Sequence, residues 1–132
     1  MLASALTTMR LSLHVLAATI WVGGMILMGA LVPVLRAAGT DVPKLAARRF
    51  NQIAWPAFVV LVLTGIWNIA DAGTTTSAWQ SVLGVKMLLV VVSGACAFWH
   101  TRTSSPALRG ISSGLALLAA LGATVLGVSL AG

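Results

Sequence analysis

The sequence predicts an all-α fold: an integral membrane bundle of four helices, with both termini on the extracytoplasmic side. Three observations predict it. First, 59% of the 132 residues are hydrophobic and 8% are charged, against about 25% charged in a soluble domain. Second, the mean hydropathy is +1.03, more apolar surface than a soluble core of this size can hide. Third, the apolar residues gather in four runs, at about residues 11–35, 53–70, 79–99 and 111–131. At ~1.5 Å per residue, runs of this length suit a hydrocarbon core of ~30 Å. Residues 1–132 read as one domain made of these four spans.

The first span lies between Arg10 and Arg36. Pro33 falls in its last turns, where a lost hydrogen bond costs least. The run is too long for the apolar core of a cleaved signal peptide. At ~100° per residue, His14, Ala18, Trp21, Met25 and Met28 fall on one face, with Gly23 and Gly24 beside it. A titratable group inside such a run is a functional-site candidate. His14 is read as a ligand or a proton-handling group; the plain alternative is a bond to a backbone carbonyl. Met25 and Met28 are read as core filler or as soft metal ligands.

The loop from Arg36 to Gln52 carries four basic residues and one acid. Thr40 or Asp41 is placed to cap a helix that begins near Pro43. That helix is expected to lie in the interface before turning into the second span. Trp55 and Trp67 sit at the two ends of that span, as interfacial anchors do. Pro56 is expected to kink its first turns. Thr64, Asn68 and Asp71 share a face at spacings of four and three.

The turn at residues 72–78 is short, so the second and third spans are antiparallel neighbours. The third span has tryptophans at both ends and contains Lys86, the residue most costly to bury in lipid. Asp71, an anionic ligand such as a propionate, or a water-filled cavity is its expected partner. His100 reads as an interfacial residue and Cys96 as a small buried hydrophobe. The fourth span, with Gly110 and Gly114 in a GxxxG and Ala119 and Ala123 at the same spacing, reads as a packing buttress.

Topology follows from charge. The segments after the first and third spans hold Arg36, Lys44, Arg48, Arg49, Arg102 and Arg109, whereas the opposite side holds Arg10. The positive-inside rule puts both basic loops in the cytoplasm and both termini outside. His14 then lies roughly 5 Å below the outer face and Lys86 roughly 10 Å below it. Asn68 and Asp71 belong to the same leaflet, and His100 to the opposite end. The net charge of +6 accordingly meets lipid headgroups, with no nucleic acid implied. A single cysteine excludes an intramolecular disulfide and a CxxC motif.

His14, six residues, then Trp21-Val22-Gly23-Gly24 resembles the first-helix motif of the copper-resistance protein D (CopD) family. Arg49-Phe50, Leu63-Thr64-Gly65 and Asn68 are similar to that family's second helix, and Gly84 with Lys86 to its G-x-K third-helix opening. The resemblance covers the chain from about Leu11 onward. It implies a four-helix unit in a bacterial-type plasma membrane, linked to copper uptake or tolerance. His14 would capture the ion from the outer face, Met25 and Met28 would serve as soft ligands deeper along the helix, and Asn68 and Lys86 would shape the entrance. The same histidine and lysine also look like those of the HemJ-type protoporphyrinogen oxidases, short proteins that bind haem b. That resemblance implies a haem-dependent oxidoreductase in which His14 is an axial ligand, Lys86 pairs a propionate or nears the iron, and Trp21 stacks on the porphyrin. A structural subunit of a larger membrane complex, or a homo-oligomer, is the third reading and needs no chemistry. Copper or haem b is thus the expected cofactor, and the lipid bilayer the expected partner.

Overall fold

The computed structural model describes residues 2–131, all of it helix and short turns among the described residues. Five α-helices follow one another: α1 (Ala5–Ala18), α2 (Gly24–Ala38), α3 (Val42–Ala70), α4 (Ser77–Arg102) and α5 (Pro106–Ala131). A single π turn, Thr19–Gly23, joins α1 to α2 without a break. Four helical stretches are therefore long and apolar enough to cross a membrane: Ala5–Ala38, Val42–Ala70, Ser77–Arg102 and Pro106–Ala131. Each begins or ends several residues beyond the apolar run that marks it in the sequence, because helix hydrogen bonding continues past the edge of the hydrocarbon.

Local chemistry sets the ends. Ser4 caps α1 by accepting the N–H of Thr7, and Thr76 caps α4 by accepting the N–H of Trp79 at 3.1 Å. Helix α3 starts at Val42 with Pro43 in its first turn, where the missing N–H has no bond to lose. It then runs unbroken through Pro56 to Ala70. No separate interfacial helix precedes the second span: the basic segment is its first turns, and only residues 39–41 link α2 to α3. Gly73 closes the turn after α3 at φ +69°, a conformation that a side chain would strain.

The chain forms two compact units, the first ending at Gly73 and the second beginning at Thr74. In the first, α3 runs antiparallel to the α1–α2 helix. Partner numbers fall on α3 as they rise on the other strand of the pair: Arg10 meets Asp71, His14 meets Thr64, Trp21 meets Phe58, and Gly24 faces Phe50. In the second, α4 and α5 are antiparallel by the same pattern, from Trp79 with Leu130 to His100 with Arg109.

Each seam is built of small or flat groups. Between α1–α2 and α3 the Trp21 ring stands 4.4 Å from Phe58 and 5.2 Å from Trp55, centroid to centroid. Trp55, expected as an interfacial anchor, is thus a wall of this cluster. The α4–α5 seam buries Ser93, Ser112, Ala116, Ala119, Ala120 and Ala123, and the Ser93 hydroxyl donates to the Ala116 carbonyl at 2.8 Å. The Ala119/Ala123 repeat is the packing face that its spacing predicts. The Gly110/Gly114 repeat is not: a Cβ added to either would meet nothing within 4 Å. Those glycines sit on the far side of α5 from its buried alanines, so Gly114→Leu is expected to leave the unfolding free energy in detergent within about 0.5 kcal/mol of the parent. A large loss of thermal stability would show that this face is covered.

Candidate functional site

Within the first unit, one face of α1 and one of α3 carry polar groups that meet in three consecutive layers. The deepest is the histidine. His14 Nδ1 lies 2.8 Å from the Thr64 hydroxyl. That hydroxyl is also 2.7 Å from the Val60 carbonyl and 3.2 Å from that of Leu61. A carbonyl only accepts and a hydroxyl has one proton, so Thr64 donates backward along its own helix and accepts from Nδ1–H. With Nδ1–H given to Thr64, Nε2 is the nitrogen that a neutral ring would offer as acceptor. Gly65 supports the ring from below: a Cβ there would stand 3.5 Å from His14 Cε1, ordinary contact that leaves room for nothing larger. Thr64 thus orients the imidazole by a hydrogen bond, and Gly65 lies beside the ring.

One turn toward the start of α1 lies Arg10, at the i−4 position from His14 and therefore on the same face. It is buried, and its Nη1 donates to Asp71 Oδ2 at 2.6 Å; its side chain is 9% exposed against 57% for Asp71. The guanidinium also stands 5.8 Å from the centre of the Trp67 ring, within cation–π range. Between these layers sits Asn68. Its Oδ1 and the Nε of Arg10 are both buried with no hydrogen-bond partner in the structure. A donor and an acceptor, each desolvated and unsatisfied, occur together on one seam.

The sequence singles out His14, Asn68, Thr64 and Asp71, and the structure brings them to this seam. It assigns Asp71 to Arg10, where the sequence reading offers Asp71 to Lys86. Arg10 itself was read as a flanking charge. The signal that finds it is the four-residue spacing to His14, set against an acid at the matching end of the facing helix. Trp21 is 3% exposed and packs inside the aromatic cluster. Met25 and Met28 lie on α2, beyond the π turn. A π turn takes about one more residue per turn than an α turn, so the wheel that aligns both methionines with His14 does not carry through it. Among the described residues no group of three His, Cys, Asp or Glu side chains is placed to hold a metal.

Lys86 belongs to the second unit, half-buried on α4. A Cβ on Gly127 of α5 would stand 3.2 Å from its Nζ. The glycine leaves the space that the ammonium uses. His100 donates Nδ1–H to the Arg109 carbonyl at 2.8 Å, which ties the end of α4 to the start of α5. It is a structural histidine, as its place at the end of a span suggests.

Four spans apolar and long enough to cross a membrane, with a buried arginine and a half-buried histidine and asparagine set into the first helix pair, define a polytopic membrane protein with a polar seam in its first unit. The family model for copper resistance protein D matches residues 44–131, two thirds of the chain, and the chain belongs to that family. The matched segment takes in Thr64, Asn68, Asp71 and Lys86. Arg10, His14, Trp21, Met25 and Met28 precede it. Neither a curated protein nor a solved structure matches the chain.

Proposed function

We propose that this membrane protein handles copper, in uptake or tolerance, through the polar seam of its first unit, with His14 as the residue that takes the ion. The carrying observation is the hydrogen bond from His14 Nδ1–H to Thr64. A histidine that ligates a metal gives its other ring N–H to an orienting acceptor, which fixes the tautomer and aims the lone pair. Thr64 fills that role, and its proton is committed to the Val60 carbonyl. Asn68 supplies a buried carbonyl oxygen one turn away. Met25 and Met28, carried off the His14 face by the π turn, are left out of this reading of the seam.

The distribution of basic residues favours a seam toward the extracytoplasmic side of a bacterial-type plasma membrane. A reporter enzyme active only outside the cytoplasm should work when fused to the C-terminus and fail when inserted beside Arg102. The reverse pattern would invert the topology and put His14 on the inner leaflet. The copper reading is tested on the purified full-length protein. Titration with Cu²⁺ under reducing and non-reducing conditions, followed by desalting, should leave bound copper and no Soret band. A Soret band in the protein as isolated would replace the ion with haem b, with His14 as axial ligand.

A further inference from the structure

We propose that Gly127 is a positioning residue for Lys86. By having no side chain it leaves a notch in α5, and through that notch a lysine rooted within a membrane span carries its ammonium toward water at the end of the α4–α5 pair. The register of the pair gives the direction. Ser93 bonds the carbonyl of Ala116, Trp79 that of Leu130 and His100 that of Arg109. Seven residues back from Ser93 and seven on from Ala116, Lys86 stands opposite Ala123. Its ammonium lies further along. A Cβ on Gly127 would stand 3.2 Å from Lys86 Nζ and 3.5 Å from Cε. The side chain therefore leans four residues along α5, about 6 Å, toward the end that Trp79 and Leu130 close. Gly127 precedes Leu130 by three residues, so about 4.5 Å of helix separates the charge from that end.

Two forces favour that lean. A lysine stem can line apolar surface while its head seeks water, and an ammonium left at mid-membrane is costly. The last carbonyls of α5 also lack an N–H partner within the helix, so its C-terminal end is the negative pole that draws a cation. No acid competes for the charge: the chain has two acidic residues, Asp41 and Asp71, and both lie in the first unit. Asp71 is bonded to Arg10, and Lys86 forms no ion pair among the described residues. Gly127 differs in this respect from the other glycines of α5. Gly110 and Gly114 face nothing within 4 Å, and Gly122 meets the apolar Leu89, one turn further along α4. Gly127 is the one that faces a charged group. A single methyl there would already push the ammonium aside, and a longer side chain would fill the notch and turn Lys86 away from the end of the pair.

The test uses the reactivity of the amine itself and does not depend on which ion His14 takes. The chain has two lysines, Lys44 and Lys86. Lys44 is exposed in the first turn of α3 and serves as internal control. The full-length protein in lipid nanodiscs, open to water on both faces, is treated with sulfosuccinimidyl acetate, a charged reagent that stays out of hydrocarbon. Peptide mass mapping follows the acetylation of each lysine. Lys86 should be acetylated in the parent. In Gly127→Leu its rate relative to Lys44 should fall about tenfold, the order expected when an ammonium is turned from water toward lipid. Gly127→Ala, which needs a smaller shift, should fall between the two. A glycine that served only to bring α4 and α5 together would give the opposite sign, because a bulkier residue would part the helices and expose the lysine. Helix content and melting temperature show which variants fold. Unchanged or faster acetylation of Lys86 in folded Gly127→Leu or Gly127→Ala overturns the proposal. If neither variant folds, the parent decides: Lys86 left unmodified after Lys44 has reacted to completion overturns it as well.

Discussion

Replacing His14 by alanine is expected to abolish copper retention while leaving the helices intact. The imidazole is the one strong nitrogen donor on the seam, and nothing else there replaces its lone pair. Its hydrogen bond to Thr64 on α3 spans 2.8 Å, and the loss of one such bond costs about 1 kcal/mol. The companion change, Thr64→Val, keeps the imidazole and removes only its acceptor. It should weaken copper by about 10- to 100-fold, the usual effect of losing an orienting partner behind a ligand. Metal content after desalting and circular dichroism of the same samples check both. Copper retained at parental stoichiometry in folded His14→Ala would remove the histidine from the site. Equal, complete loss in both variants would mean that Thr64 does more than orient.

Trp21→Ala should be the most destabilising single change in the first unit. Trp21 is 3% exposed, and its indole packs against both Phe58 and Trp55. In a bilayer the gain from such a cluster is close contact between flat groups, since lipid is as apolar as the rings themselves. Truncation leaves a void between helices that cannot close without moving α3. The expected cost is about 3 kcal/mol, the lower end of the range for deleting a large buried aromatic. Thermal unfolding in detergent measures it, and Trp21→Phe, which keeps one ring, should recover more than half. A melting temperature unchanged in Trp21→Ala would show that the cluster does not hold α1 to α3. Because Trp21 lies two turns from His14 on the same helix, copper binding in any folded fraction should be reduced but present.

Several features were legible in the chain and others were not, and particular residues show why. His14 stands out because an imidazole in an apolar run has no cheap explanation. The face shared by Thr64, Asn68 and Asp71 follows from spacing, and α3 places it as the wheel predicts because nothing interrupts the helix there. Arg10 escaped because a charge at the edge of a run looks like a topology signal. Only the acid at the end of α3 turns it into a buried partner. The GxxxG of α5 misled for the opposite reason: its spacing permits close packing, yet the buried stripe runs through Ser112, Ala116, Ala119 and Ala123 instead.

By itself the sequence determined the class of protein: four apolar helices, the short turns between them, and a histidine set where lipid would otherwise demand a hydrocarbon. Hydrophobic length and backbone hydrogen bonding dictate these locally, so no partner helix is needed to read them. Tertiary structure alone decided the pairings. Asp71 goes to Arg10, His14 hands its Nδ1 proton to Thr64, and Trp55 closes on Trp21 rather than on the membrane surface. The π turn at Thr19–Gly23 is of the same kind, since it changes the faces that α1 and α2 present after the sequence has been written. Such choices depend on which helix lies opposite and at what height, a relation between residues some fifty positions apart. Desolvated polar groups then take the partner that the facing helix offers, because in lipid there is no water to satisfy them.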